Sequence, residues 1–308
     1  MRLRHPVLIL AALLIACPVM TPSPALGQDA VTPFAFDPAF EFGPLMSMRN
    51  LRPSDMPVIP IFGGWIDNGN GTADLCFGYK SLNLEERRDV AHGPDNFIEP
   101  ARFDGVQPTF FLEVPPGWHR HYCVFAVNVP LGSEPVVWTL KHNGYDYATP
   151  GHTGSINYKL DNTWYPADRG TGGEGGSIAP LVEFVEPAGS AHVGRAGSGA
   201  RAGPVTARVG RPLTLSIAVT QPLIEAYMGE PKTFNVYWYK YQGPPGEVVF
   251  AESTIRLEGG DAVERKLATT TATFPAPGEY VLLVQALNSS FPSQCCWTNG
   301  YVQVTVVE

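Results

Sequence analysis

Glycine and proline break this chain so often that no long helix can run through it. It carries 32 Gly and 30 Pro in 308 residues, about a fifth of the chain where roughly 12% is usual. Between the breaks lie short apolar runs that alternate in polarity, the period of a half-buried strand. Only Leu82 to Val90 admits a helical turn, and no amphipathic stretch of helical length exists. Hydrophobic residues make up 44% of the chain and charged residues 16%, which excludes both a coiled coil and a wholly disordered chain. The fold class expected is all-β: two β-sandwich-like domains joined by a Gly-rich linker.

The formal net charge is -8, and no basic block occurs. Nucleic acid, which demands clustered cations, is excluded as a partner.

The N-terminus reads as an export signal. Arg2, Arg4 and His5 precede an unbroken apolar run from Val7 to Ala16. A mature membrane-spanning helix needs about 20 such residues, so the run is too short to be one. Two processing routes are open. Ala25-Leu26-Gly27 places small residues where a signal peptidase reads them, giving a mature start at Gln28. Leu14-Ile15-Ala16-Cys17 resembles a bacterial lipobox, in which Cys17 is lipidated, although Pro18 is unfavourable there. The first route gives a secreted or periplasmic protein and the second a membrane-anchored lipoprotein. Membrane contact is expected only with lipid on Cys17.

Four cysteines remain after cleavage at Gly27: Cys76, Cys123, Cys295 and Cys296. Cys76 and Cys123 each lie in an alternating segment of the first half, and a Cys76–Cys123 bridge is expected between two sheets or two neighbouring strands. Closing that loop would contribute about 4 kcal/mol, less any strain. Cys295 and Cys296 are adjacent, and a vicinal disulfide, two free thiols or a bond to another chain are all open. No CxxC motif occurs, so a thioredoxin-like role has no support.

The expected organisation is a signal peptide over 1–27, an N-terminal sandwich over 28–168, a Gly/Ala-rich linker over 169–203 and a C-terminal sandwich over 204–308. The linker includes an apolar island, Leu181 to Val185, that reads as a strand. In the first half the expected strands are Val58 to Phe62, Gly64 to Ile66, Leu75 to Tyr79, Thr109 to Val114, Tyr122 to Val129 and Val136 to Leu140. Asn-Gly at 143–144 turns into one more. In the second half they are Val205 to Val209, Leu213 to Val219, Phe234 to Tyr241, Val248 to Phe250, Thr269 to Phe274, Glu279 to Leu287 and Tyr301 to Val307.

The segment Thr271-Ala-Thr-Phe-Pro-Ala-Pro-Gly-Glu-Tyr-Val-Leu-Leu-Val-Gln-Ala286 resembles the penultimate hairpin of PKD-type and immunoglobulin-like modules. Trp238 matches the buried aromatic of their central strand, and Arg208 to Leu215 resembles their opening. The resemblance covers roughly 203–308 and implies a sandwich, with almost nothing about activity. Their usual inter-sheet disulfide is absent. The first half is similar to uncharacterised exported bacterial proteins at Gly64-Trp65, Gly71-Thr72, Phe77-Gly78-Tyr79, Gly93-Pro94, Asp95-Asn96, Gln107-Pro108-Thr109 and Trp138-Thr139-Leu140. That likeness implies no activity.

Chemical motifs are few. Gly170 to Gly175 matches GxGxxG by letter, but neither follows a strand nor opens a helix, so it reads as linker. No GxSxG, HExxH or P-loop occurs. His119, His121 and Cys123 alternate, so a strand puts all three on one face, where His119 and His121 are candidate metal ligands. A bridged Cys123 removes the sulfur. Asp67-Asn-Gly-Asn-Gly71 is oxygen-rich but misses the EF-hand spacing and reads as a turn. Asp95, Asn96, Asp104, Gln107 and Thr109 cluster near His92 and read first as polar loop packing; Glu99 and Asp104 are the paired carboxylates that acid/base work would need, with nothing in the sequence to fix their separation.

Trp297, Asn299 and Tyr301 form a candidate ligand platform before the last strand. No catalytic residue is assigned and no cofactor is expected. The leading expectation is an exported, non-catalytic binding or structural protein of the periplasm or cell surface, with an extracellular carbohydrate or protein as partner. The alternative is an extracellular hydrolase or metal-binding protein with its site in the first half.

Overall fold

A computed structural model describes residues 52–113, 121–160, 179–194, 199–220, 234–258, 264–288 and 297–308. The export signal with Cys17, the glycine run at 170–176, His119, Cys295 and Cys296 lie outside the described residues. Asn50–Glu308 clusters as one compact unit. Among the described residues there is no α-helix, only two short 3₁₀ turns at Ala101–Phe103 and Ile156–Tyr158.

Nine strands precede residue 161: β1 Val58–Asp67, β2 Thr72–Ser81, β3 Arg88–Asp89, β4 Asn96–Glu99, β5 Phe110–Phe111, β6 His121–Pro130, β7 Val136–His142, β8 Tyr145–Gly151 and β9 Lys159–Leu160. They form a four-stranded sheet, β6-β2-β1-β9, a three-stranded sheet, β4-β7-β8, and the β3-β5 pair. Ten more strands follow: β10 Leu181–Glu186, β11 Ala191–Val193, β12 Ala200–Arg208, β13 Leu213–Thr220, β14 Phe234–Gln242, β15 Val249–Phe250, β16 Thr254–Leu257, β17 Lys266–Thr273, β18 Gly278–Asn288 and β19 Trp297–Val307. They form two five-stranded sheets, β11-β10-β13-β17-β15 and β12-β19-β18-β14-β16.

The second pair of sheets encloses a core of its own. Phe184, Leu215, Ile217, Val236, Trp238, Phe274, Tyr280, Leu282 and Val304 are buried there. Trp238 is 1% exposed, as its resemblance to a central-strand aromatic implies. The Pro-Gly-Glu-Tyr corner also forms: the Tyr280 hydroxyl donates to the Ala276 carbonyl at 3.0 Å.

Several strand expectations change in detail. Val58–Phe62 and Gly64–Ile66 are one strand with a bulge between Phe62 and Gly64. Gly64 has φ +134, and a Cβ there would lie 2.5 Å from the Tyr158 carbonyl oxygen. The helical turn expected over Leu82 to Val90 is not formed; Arg88–Asp89 pairs with Phe110–Phe111 instead. The strand expected over Thr109 to Val114 is described only at Phe110–Phe111. No strand signal in the sequence marks β4, β9, β11 or β16. β4 lies in a polar loop-like sequence, and β16 is held mainly by its pairing with β14.

Cys76 and Cys123 are bridged, with Cα atoms 5.0 Å apart. The bridge joins neighbouring strands, β2 and β6, of one sheet. Cys123 has φ +43 at an irregularity in that pairing. Gly78 makes the close approach feasible, since a Cβ there would sit 2.1 Å from the His121 carbonyl oxygen.

Candidate functional site at the seam between the halves

Much of the outer face of the β14-β18-β19 sheet is covered by the first half. Side chains alternate across a strand, so while Val236 and Trp238 enter the second core, Tyr239, Tyr241, Val281, Leu283 and Tyr301 pack into the core of the first half. Polar groups hold the seam in register. The Tyr301 hydroxyl donates to the Val124 carbonyl at 2.6 Å, and the Asn299 amide donates to the Cys123 carbonyl at 2.8 Å. Thr109 N–H donates to the Tyr241 carbonyl at 2.9 Å, and the Tyr241 hydroxyl donates to the Val106 carbonyl. Gln242 donates to the carbonyls of Gly105 and Gln107.

Lys240 anchors one end. Its side chain is 1% exposed, and Nζ lies 2.6 Å from Asp89 Oδ1. The same ammonium donates to the carbonyls of Pro244 at 2.6 Å and Gly246 at 2.7 Å. All three donors of the group are used. Burial lowers its pKa, and Asp89 opposes that shift.

Above this anchor the seam opens into a cavity of about 460 Å³. Its walls come from both halves: Arg87, Phe110, Leu112, Glu113, His121 and Tyr122 from one, and Tyr237, Trp238, Tyr239, Lys240, Glu247, Gln285, Leu287 and Trp297 among those from the other. Tyr237 and Tyr239 lie side by side on β14, with ring centroids 6.2 Å apart and planes 8° from parallel. Burial raises the pKa of both phenols, so both stay neutral donors.

Both cations in this cavity are paired. Arg87 grips Glu113 through both fork nitrogens, at 2.7 and 3.0 Å, and reaches Glu247 at 3.5 Å. Burial pushes the Glu113 carboxyl up, but hydrogen bonds led by Arg87 hold it below its ordinary value. His121 lies against Tyr79 at 4.5 Å, and its Nε2 is 2.9 Å from the Glu113 carbonyl oxygen. Burial lowers its pKa to about 4, so the ring is neutral near pH 7. Of the charged lining residues, Arg87 is paired with Glu113 and Lys240 with Asp89, and Glu247 has only the 3.5 Å contact to Arg87.

The structure separates the residues singled out in the sequence. Trp297, 4% exposed, forms part of the cavity wall. It also packs with the Cys76–Cys123 bridge, which therefore lies just behind that wall. Asn299 and Tyr301 point instead into the seam, at 2% and 5% exposure. His92 is exposed and hydrogen-bonds the Gln107 carbonyl at 2.9 Å. The Asn96, Asp104 and Gln107 cluster is a bonded scaffold: Asn96 donates to the Val90 and Pro108 carbonyls, and Gln107 donates to Asp104 and the Asn96 carbonyl. Asp67 accepts from Gly69 N–H and from Lys159, which lowers its pKa and closes the Asn-Gly turn. No group of metal-ligating side chains occurs among the described residues.

Sequence reading overlooked Arg87, Glu113, Tyr237 and Tyr239. Alternation marks Tyr237 and Tyr239 as one face of a strand, and that face carries aromatics where a solvated face would carry charge. The signal was legible, but not its partner, since Arg87 and Tyr237 are 150 positions apart in the sequence.

An all-β pair of sandwich-like halves with a shared, aromatic-walled seam is the class these observations define. No protein-family model and no curated protein matches the chain. Among solved structures it is similar to domains 4 and 5 of the S-layer protein SbsC, at 12% identity, 58% of this chain, 69% of that one and a TM-score of 0.23. It is also similar to the D0-D1 domain of intimin, at 11% identity, 81% of this chain, 97% of that one and a TM-score of 0.23. A mutant of the CFA/I enterotoxigenic E. coli adhesin CfaE shares 8% identity over 84% of this chain and 82% of that one, with a TM-score of 0.19. Likenesses this distant carry no argument about function.

Proposed function

We infer that this is an exported, non-catalytic binding protein of the bacterial periplasm or cell surface, with the seam cavity as its ligand site. The observation that carries the reading is the cavity itself. Its volume of about 460 Å³ falls inside the roughly 300–1,000 Å³ usual for small-molecule sites. Its wall is rich in aromatic rings, and its charged groups are already bonded into the scaffold. A catalytic acid or base needs a proton to give or take at the reacting atom. Glu113 is held ionised by Arg87, the ammonium of Lys240 is fully bonded, and His121 faces the Glu113 carbonyl. Such groups position a ligand better than they transform it.

Export is supported by the Cys76–Cys123 bridge, since disulfides persist in oxidising compartments. The test is intact mass of the protein purified from its native host, with and without reduction, beside fractionation of the cells. The expected result is a mature start at Gln28 in the periplasmic or extracellular fraction, with two hydrogens gained per bridge on reduction. A lipid increment on Cys17 keeps the reading and adds an anchor. Full-length chain in the cytosol, with Cys76 and Cys123 open to alkylation before reduction, would overturn it.

A further inference from the structure

We propose that the seam cavity binds a neutral carbohydrate, with one sugar ring stacked on the Tyr237–Tyr239 face and its hydroxyls bonded to the Arg87–Glu113 pair and Gln285. The proposal rests on reading the seam as a binding site and names the class of its ligand.

Charge removes one class of occupant. A phosphate, sulfate or carboxylate ligand needs an uncompensated cation or convergent free donors. The Lys240 ammonium has Asp89, the Pro244 carbonyl and the Gly246 carbonyl on its three donors. Arg87 has both oxygens of Glu113 on its fork. No cation among the described lining residues is left to attract an anion. For a cationic ligand the buried carboxylate, Glu113, is already neutralised by Arg87, and Glu247 is more than half exposed at the cavity's margin.

Backbone pairing removes an extended peptide. Such a partner usually adds itself to a free sheet edge. β14 is paired with β16 from Phe234 to Tyr237. Just beyond, Trp238 N–H donates to the Ser253 carbonyl at 2.8 Å, and the Tyr241 carbonyl accepts from Thr109. The strand offers no edge at those positions.

What remains suits a polyhydroxylated ring. Such a molecule has apolar C–H faces and polar rims, and it carries no charge. The parallel rings of Tyr237 and Tyr239 line the cavity with apolar aromatic surface and neutral phenols. The paired Arg87 and Glu113 retain lone pairs and N–H groups that can meet hydroxyls without any net charge being buried. Gln285, bonded through Nε2 to Asn299, keeps its carbonyl as a further acceptor in the cavity wall. Trp238 borders the cavity too, and its indole N–H is buried with no partner among the described residues.

The test is a titration of the full-length mature protein, read by the indole N–H signals of its tryptophans. The probes are glucose, galactose, mannose, N-acetylglucosamine and their neutral di- and trisaccharides, with N-acetyltryptophan amide as a non-sugar aromatic control. The expected result is saturable movement of the Trp297 signal with at least one saccharide, at a Kd of about 0.1–10 mM. Tyr237→Ala should weaken that binding about tenfold or more, whereas Tyr237→Phe, which keeps the ring face, should hold it within about threefold. Unchanged near-ultraviolet dichroism shows that each variant is folded, and loss of binding in an unfolded variant does not count. Movement with N-acetyltryptophan amide but with no saccharide would overturn the sugar assignment and leave the seam as a binding site. No movement with any probe would overturn both. Saccharide binding that survives Tyr237→Ala unchanged would also overturn the proposal.

Discussion

Trp138 and Trp238 are both fully buried, at 0% and 1% exposure, yet they sit in two kinds of core. Trp238 lies between two five-stranded sheets, among residues that all come from 182–306. Trp138 lies in a core that draws Tyr241, Leu283 and Tyr301 from the other half. Its indole N–H donates to Asn96 Oδ1 at 3.0 Å, and Asn96 in turn bonds two loop carbonyls. The second half is thus closed by apolar burial between its own sheets. The first half is closed by a polar hub and by aromatic side chains supplied from its neighbour. The first half's core is completed at the seam, where Tyr241, Leu283 and Tyr301 enter it.

The largest effect expected from a single change is at that hub. Asn96→Ala strands the Val90 and Pro108 carbonyls and the Trp138 N–H in a dry interior, and should cost about 3–5 kcal/mol in denaturant unfolding. A loss below about 1 kcal/mol would break the contrast between the cores.

Next comes the seam anchor. Asp89→Asn leaves the Lys240 ammonium buried without its counter-charge and should cost about 3 kcal/mol. Combining it with Lys240→Met should recover part of that loss, because no unpaired charge is then buried, while the Pro244 and Gly246 carbonyls lose their donor. A double mutant as unstable as the single one would show that the pair's charge is not what matters.

Acid should weaken the seam before the second core. Unfolded His121 takes up a proton near pH 6.5, whereas in the fold it does so only at about 4. Between those values the unfolded state binds more protons, so stability falls as pH falls. The loss should reach up to about 3 kcal/mol by pH 4. The Glu113 carboxylate, lowered by Arg87, acts in the same direction at still lower pH. His121→Phe should flatten the profile between pH 6.5 and 4. The smallest effect is expected at Arg265 and Glu183, a pair about half exposed on the second half. Glu183→Ala should change stability by less than about 0.5 kcal/mol.

Much of this fold is legible in local pattern. Period-two alternation marks β2, β6, β7, β13, β14, β18 and β19, and the Asn143-Gly144 turn joins β7 to β8 as a hairpin, with φ +49 and +77. The Pro-Gly-Glu-Tyr corner and the buried Trp238 likewise follow from short motifs. The short strands β4, β11 and β16 are not legible, because tertiary pairing rather than propensity holds them. Asn96 and Gln107 look like loop polars, and only their burial makes them a hub. The cavity is the least legible feature. Arg87 stands in polar sequence and Glu113 in an apolar strand-like run, and their meeting with Tyr237 and Trp297 depends on how one sheet lies against the other half.

The central claim is that the first half folds on the second, whereas the second stands alone. Denaturant unfolding of the separate fragments 28–178 and 179–308, followed by near-ultraviolet dichroism, tests it directly. The expected result is a cooperative transition for 179–308, none for 28–178, and recovery of fixed aromatic signal from the first fragment when the two are mixed. A cooperative transition in isolated 28–178 would contradict the claim and make the seam a contact between two self-sufficient domains.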